Sequence, residues 1–284
     1  MHDVLFQVSL FGLLKDPWSI HCYGLLVAIG FLLAISLAWR HGRDEGEDPD
    51  RVVDLCYSIL LAGLLGARLV FIATMARSYL DHPLEIFKIW RGGLVWYGGF
   101  LGAVGCAWWY CRRHRLGFFK SVDLLIAPMA LAHSFGRLGC LTAGCCFGHP
   151  TDLPWGIRFP AGSLPQAAQL GEHLIRAGQR SLPVHPTQLY EAAAELALFF
   201  LLVAMRPFKR FHGQLFLTWL GLYPLLRSAI EMMRGDKERG VWGLLSTSQY
   251  ISIAVGLAAL ALGLWFHRRL RDDDRGAVAA GAPG

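Results

Sequence analysis

The chain has 284 residues, 54% of them hydrophobic and only 17% charged, with a mean hydropathy of +0.40. Soluble domains carry about 25% charged residues, so an ordinary water-soluble globule is excluded. The net charge of +6 does not point to nucleic acid, because the basic residues sit in short loops between apolar runs, as they do in membrane proteins.

Apolar runs near the roughly 20 residues that cross a bilayer predict about seven spans, at 20–39, 52–73, 94–111, 121–138, 188–205, 214–230 and 246–266. The expected fold class is all-α: a polytopic integral membrane protein, with one transmembrane domain over 1–284. No cleavable leader is expected, since the first run starts near Ile20, is long enough to span and lacks a basic stretch before it. The connections after spans one, three and five and the C-terminal tail hold Arg40, Arg43, Arg51, Arg112, Arg113, Arg115, Lys120, Arg206, Lys209, Arg210, Arg268, Arg269, Arg271 and Arg275. That bias puts these segments in the cytoplasm, with the N-terminus outside and the C-terminus inside. The long connection 139–187 then forms an outer loop or head. Its Pro and Gly residues predict turns, and 167–178 predicts a short amphipathic helix lying at the interface. The stretch 272–284, charged and then Gly/Ala-rich, is expected to be disordered.

Ionisable side chains at membrane depth cost a few kcal/mol or more, so they mark cavities or partners. Arg68, Arg137 and Arg227 fall within or at the ends of apolar runs, and Glu231 lies four residues after Arg227 on the same helical face. Arg227 and Glu231 alone also admit the reading of a simple buried ion pair, the weaker of the two readings. Three arginines together favour an anion, and a guanidinium fork matches a phosphate group.

Two segments stand out. Residues 136–148 hold four glycines, Gly136, Gly139, Gly144 and Gly148, around Arg137. Small residues allow close helix packing, or close approach of backbone to a ligand. The run His185-Pro186-Thr187-Gln188-Leu189-Tyr190-Glu191 has Pro186 set for a helix start and Thr187 as its cap. His185, Gln188, Tyr190 and Glu191 add more polar groups at one membrane boundary than capping requires.

The His-Pro-Thr-Gln-Leu-Tyr-Glu run resembles a motif of the bacterial prolipoprotein diacylglyceryl transferases. Gly136-Arg137-Leu138-Gly139 with Gly144 and Gly148 is similar to their glycine-arginine signature. Tyr23-Gly24, Gly66-Ala67-Arg68, Gly98-Gly99, Tyr223 with Arg227 and Glu231, and Ser246 with Gln249 keep the family's order over nearly the whole chain. The resemblance implies a seven-helix enzyme of the bacterial inner membrane. Such an enzyme moves a diacylglyceryl group from phosphatidylglycerol to the lipobox cysteine of a preprolipoprotein signal peptide, forms a thioether and releases glycerol phosphate. It implies a monomer with no cofactor, no metal and no nucleic acid partner. Arg137, Arg227, Tyr97, His185 and Glu191 become the catalytic candidates. Arg68, Tyr23, Gly98, Gly99, Gln188, Tyr190, Tyr223 and Glu231 join the two arginines as candidates for holding the lipid.

The chain departs from the family's pattern in two places. Tyr97 stands where the family carries a histidine, a proposed base, and a phenol with its ordinary pKa of about 10 is a weak base. Cys140 and Cys145 replace an asparagine and a glutamate, with Cys146 following. These cysteines read as small packing residues, as a disulfide on an oxidising outer side, or as a metal cluster with His149. One of them could also take the lipid covalently before passing it on. The same changes keep two other functions open: a transferase with a different acceptor, and a non-enzymatic lipid-binding, metal-binding or redox membrane protein.

Overall fold

In the computed structural model the described residues are 4–8, 18–76, 86, 93, 95–236, 241–242 and 245–280. Leu94, where the third span was expected to start, and 281–284 of the expected tail lie outside them. Eight α-helices carry the described chain: α1 (Cys22–Asp44), α2 (Pro49–Thr74), α3 (Trp96–Arg113), α4 (Phe118–Ala143), α5 (Leu164–Gly171), α6 (Thr187–Met205), α7 (Gln214–Glu231) and α8 (Thr247–Ala280). The helical class holds, with two small antiparallel pairs added. β1 (Val4–Val8) pairs with β2 (Trp18–His21), and β3 (Val241–Trp242) pairs with β4 (Leu245–Ser246). Val4, Phe6, Val8, Trp18 and Ile20 are residues that favour strands, in runs too short to register as spans.

Helix ends follow local chemistry. The Asp48 side chain caps α2 by accepting from the Asp50 N–H at 3.1 Å, with Pro49 in the first helical position. Arg112 and Arg113 close α3 at its negative dipole end. Thr187 does not cap α6 as expected. Pro186 occupies the cap position, and the Thr187 hydroxyl instead donates to the Cys146 carbonyl at 2.6 Å. The short helix expected at 167–178 forms earlier, as α5, because Pro165 suits its first turn. At the other end α8 runs on through 272–280, where disorder was expected; Ala277, Ala279 and Ala280 are strong helix formers.

Among the described residues, four helical stretches are long and apolar enough to cross a membrane by length and composition: Cys22–Asp44, Pro49–Thr74, Phe118–Ala143 and Thr187–Phe208. Gln249–Leu264 is apolar but shorter. Leu65, Leu101, Leu225 and Leu257 are each more than 60% exposed on these helices and their neighbours. A soluble fold seldom leaves that much apolar surface to water.

The chain divides into two compact units, Ile35–Leu125 and Met1–Ala34 with Ile126–Gly284. In the first, α2 and α3 meet through glycines. A Cβ on Gly66 would collide with the Gly98 carbonyl oxygen, and one on Gly98 would collide with that of Gly66. Leu55, Tyr110 and Cys111 fill the core beside this contact. In the second unit, Ile126 and Ala127 of α4 pack with Leu202 of α6 and Leu215 of α7. The connection from α4 to α6 has a core of its own, Phe147, Phe159 and Val184. Its backbone is stitched by bridges from Val184 to Pro150 and Ile157, and the Gln169 side chain accepts the Leu182 N–H at 2.7 Å.

Candidate active site

Helical spacing builds the polar seam of the larger unit. Positions four apart share a helix face. Thus α4 presents His133 and Arg137, α6 presents Glu191 and Glu195, and α7 presents Trp219, Tyr223, Arg227 and Glu231. Pro128 and Pro224 interrupt the hydrogen bonding of α4 and α7, and the Ser134 hydroxyl of α4 ties to the Ala192 carbonyl of α6 at 3.0 Å.

Glu191, almost fully buried, is the hub. One of its oxygens lies 2.9 Å from Arg137 Nη2 and 3.8 Å from Arg227 Nε, and it accepts the Tyr223 hydroxyl at 3.1 Å. Arg227 Nη2 also pairs with Glu231 at 2.6 Å. Glu195 anchors a parallel chain. His133 Nδ1 approaches it at 2.7 Å, and Trp219 Nε1 donates to its other oxygen at 3.2 Å. Arg137 Nε donates to His133 Nε2 at 3.2 Å. That nitrogen must therefore accept, so the imidazole proton sits on Nδ1 and points at Glu195. The Trp219 ring stacks on Tyr223 with centroids 4.8 Å apart.

Arg137 and Arg227 thus pair with Glu191 and Glu231, while Glu195 faces His133, so the seam holds three carboxylates against two guanidinium groups. One donor is left over: Arg227 Nη1 is buried and has no partner among the described residues. An unmet buried donor costs about 1–3 kcal/mol, which an arriving acceptor would recover.

Other expected site residues fall around this seam. Tyr23 of α1 packs against Gly139, where a Cβ would come within 3.0 Å of its ring. Gln188 Nε2 donates to the Cys145 carbonyl at 2.7 Å. The Tyr190 hydroxyl receives Trp155 Nε1 at 2.7 Å and lies 3.3 Å from His185 Nδ1. Cys140, Cys145 and Cys146 converge beside Arg137, whose Nη1 is 3.7 Å from the Cys146 sulfur. All three are free thiols, and the converging ligand atoms are these sulfurs without His149. Hydrogen bonds from the Cys140 and Cys145 thiols, aided by nearby Arg234, hold the Cys146 thiol well below its usual range despite burial. Hydrogen bonding with Cys140 and then Cys146, together with burial, pushes the Cys145 thiol upward. Burial works against the charge on Arg234, but Asp236 and Cys146 outweigh it.

Arg68, Tyr97, Gly98 and Gly99 belong to the other unit. There Arg68 donates to the carbonyls of Ile86 at 3.0 Å and Gly93 at 3.2 Å, bracing the connection from α2 to α3. Tyr97 is more than half exposed. Sequence reasoning missed His133, Glu195, Trp219, Trp155 and Arg234. The first three lie in apolar runs at four-residue intervals from residues it did select, which was a usable signal.

Apolar helices showing leucines outward, with arginines and glutamates paired inside, define an integral membrane protein with a buried polar site. The sequence matches the family model described as prolipoprotein diacylglyceryl transferase over residues 10–265, and the chain belongs to that family. It is 34% identical over 254 residues to the phosphatidylglycerol–prolipoprotein diacylglyceryl transferase of Clostridium tetani, covering 89% of this chain and 93% of that one. It is 33% identical over 265 residues to the protein of the same name from Stenotrophomonas maltophilia, covering 87% and 88%. A third relative of that name, from Geobacter sulfurreducens, is 32% identical over 264 residues, covering 91% and 94%.

Proposed function

We propose that this chain transfers the diacylglyceryl group of phosphatidylglycerol to the lipobox cysteine of a preprolipoprotein, and that Arg137 and Arg227 hold the lipid phosphate. The observation that carries this is the convergence of both guanidinium groups on Glu191, with Arg227 Nη1 left without a partner.

The acceptor thiolate attacks the glyceryl carbon that bears the phosphate ester. A carbon–sulfur bond forms, the carbon–oxygen bond breaks, and its electrons pass to the phosphate as glycerol phosphate leaves. A singly charged diester becomes a monoester with more negative charge, so positive groups in a dry site favour the transition state over the ground state. The orphan donor of Arg227 gives the phosphate its first contact. Glu191 then acts as a removable counter-ion that keeps both guanidinium groups aligned while the site is empty. With its oxygen engaged by Tyr223 and two arginines, Glu191 is better suited to positioning than to taking a proton. The thiol proton passes to His185 through the Tyr190 hydroxyl. Tyr223, Glu231, Gln188 and Tyr23 shape the lipid site, and Arg68, Tyr97, Gly98 and Gly99 remain candidates for lipid contact on the strength of the family's motif order.

The reading includes seven spans in the bacterial inner membrane, made by α1, α2, α3, α4, α6, α7 and α8 of a single domain. The α4–α6 connection forms an outer head, the N-terminus faces out and the C-terminus faces the cytoplasm. The molecule acts as a monomer. What supports this is the match to the family over most of the chain, together with the placement of Lys and Arg.

Purified protein incubated with phosphatidylglycerol and a lipobox peptide is expected to yield a thioether-linked diacylglyceryl peptide and glycerol phosphate, read by mass spectrometry. A folded preparation that gives neither, beside an active relative, contradicts the proposal.

A further inference from the structure

The three thiols beside Arg137 take no part in the reaction above. Cys140 comes from the last turn of α4, and Cys145 and Cys146 come from the turn that follows. Their sulfurs all lie within 4.8 Å of one another, and all three are free and partly buried.

The turn is built to hold them. The Cys145 N–H donates to the Cys140 carbonyl at 3.2 Å, and Gly144 takes a positive φ of 72°. Cys146 has a φ of 60°, a left-handed conformation that costs a non-glycine residue energy. Two side chains of α6 offset that cost. Thr187 Oγ1 donates to the Cys146 carbonyl at 2.6 Å, and Gln188 Nε2 donates to the Cys145 carbonyl at 2.7 Å. The sulfurs are thus positioned before any ligand arrives.

A separate observation points to negative charge gathering there. Arg234 is buried beside Cys146, and its Nε and Nη2 bond to Asp236. Its Nη1 is buried with no partner among the described residues. Arg137 Nη1 lies 3.7 Å from the sulfur of Cys146.

We propose that Cys140, Cys145 and Cys146 form a three-sulfur site for a thiophilic divalent cation of the zinc and cadmium class. Zinc–sulfur bonds of about 2.3 Å place three sulfurs around one ion roughly 4 Å apart, so only a small closure is needed. The ion is held by thiolates, and any thiol proton still present is released to solvent on binding. Three thiolates on a divalent ion carry one net negative charge, which Arg234 and Arg137, both beside Cys146, offset. His149 stands outside the converging set, so the protein supplies three ligands and leaves a fourth position open.

The site is independent of the transferase reading, and its test uses no activity assay. Full-length protein, purified in detergent and reduced without oxygen, is titrated with cadmium ion while sulfur-to-cadmium charge-transfer absorption is followed. The expected result is saturation at one cadmium per chain, lost in C140S, C145S and C146S and kept in C22S and C106S. X-ray absorption on the unaltered protein should show three sulfur neighbours, which guards against variants that merely misfold. Absence of a saturating band, a band surviving removal of all three cysteines, or cadmium without sulfur neighbours overturns the proposal. So does protein isolated with two of these sulfurs joined that takes up no cadmium after reduction.

Discussion

Arg227 has two of its nitrogens directed at carboxylates, and the third has no partner among the described residues. Arg137 is engaged by Glu191, His133 and Cys146. The two arginines should therefore fail differently. Arg227→Ala removes the group poised for the phosphate, and product formation should fall by about 10²–10³, the loss typical of a missing charge-stabilising donor. His133→Ala or Glu195→Ala leaves both arginines present but frees Arg137 to move. Their activity should fall less than that of Arg137→Ala, and Glu195→Gln should recover part of it by keeping an acceptor for His133. Removing the hub carboxylate is a stability matter as well. Glu191→Ala leaves the buried Arg137 without a carboxylate while Arg227 keeps Glu231, and breaking such a pair costs about 3–5 kcal/mol, so thermal unfolding in detergent should shift down sharply. Cys146 makes a prediction in pH. Its depressed pKa means the thiolate persists on the acid side of an ordinary cysteine, and is lost only as pH falls through the lowered value. Alkylation of Cys146 should therefore remain fast at a pH where a free cysteine in solution has stopped reacting; a profile equal to that of free cysteine would contradict the charge assigned to the cluster.

Elements carry a second set of consequences. The α2–α3 contact depends on Gly66 and Gly98, where an added Cβ would strike the opposite backbone. Gly98→Val should part the two helices and cost about 1–3 kcal/mol, with loss of folded yield in membranes. Gly105→Val, where an added Cβ meets nothing within 4 Å, should be tolerated. A glycine pair read from the sequence as part of the lipid site thus has a packing duty that the linear order did not reveal. Other elements were plain from hydropathy. The expected spans at 20–39, 52–73, 121–138 and 188–205 lie almost wholly within α1, α2, α4 and α6. The helices α3 and α7 have 18 residues each, and α3 carries four glycines and two arginines, which dilutes its apolar signal. Arg137, Glu191, Tyr223 and Arg227 were legible because motif order singled them out. Their meeting on one carboxylate was not, since it joins three helices distant in sequence. His133 and Glu195 were overlooked, although the rule that marked the arginines, an ionisable group in an apolar run, applies equally to them.

At the scale of the whole molecule, Lys and Arg placement makes the orientation testable. A reporter active only in the cytoplasm should work when fused after α8 and stay silent when fused before β1; the reverse would overturn the assigned topology. Expression in a strain lacking its own prolipoprotein diacylglyceryl transferase should restore lipoprotein processing, whereas growth rescue without any thioether-modified lipoprotein would point to a different acceptor. The account turns on whether these guanidinium groups bear the charge of the departing phosphate. The direct measurement is single-turnover thioether formation from phosphatidylglycerol by wild-type and Arg227→Ala protein, each shown to be folded by its unfolding transition. A fall in rate of about 10²–10³ with folding intact is the result predicted. A rate equal to that of the wild type would contradict it.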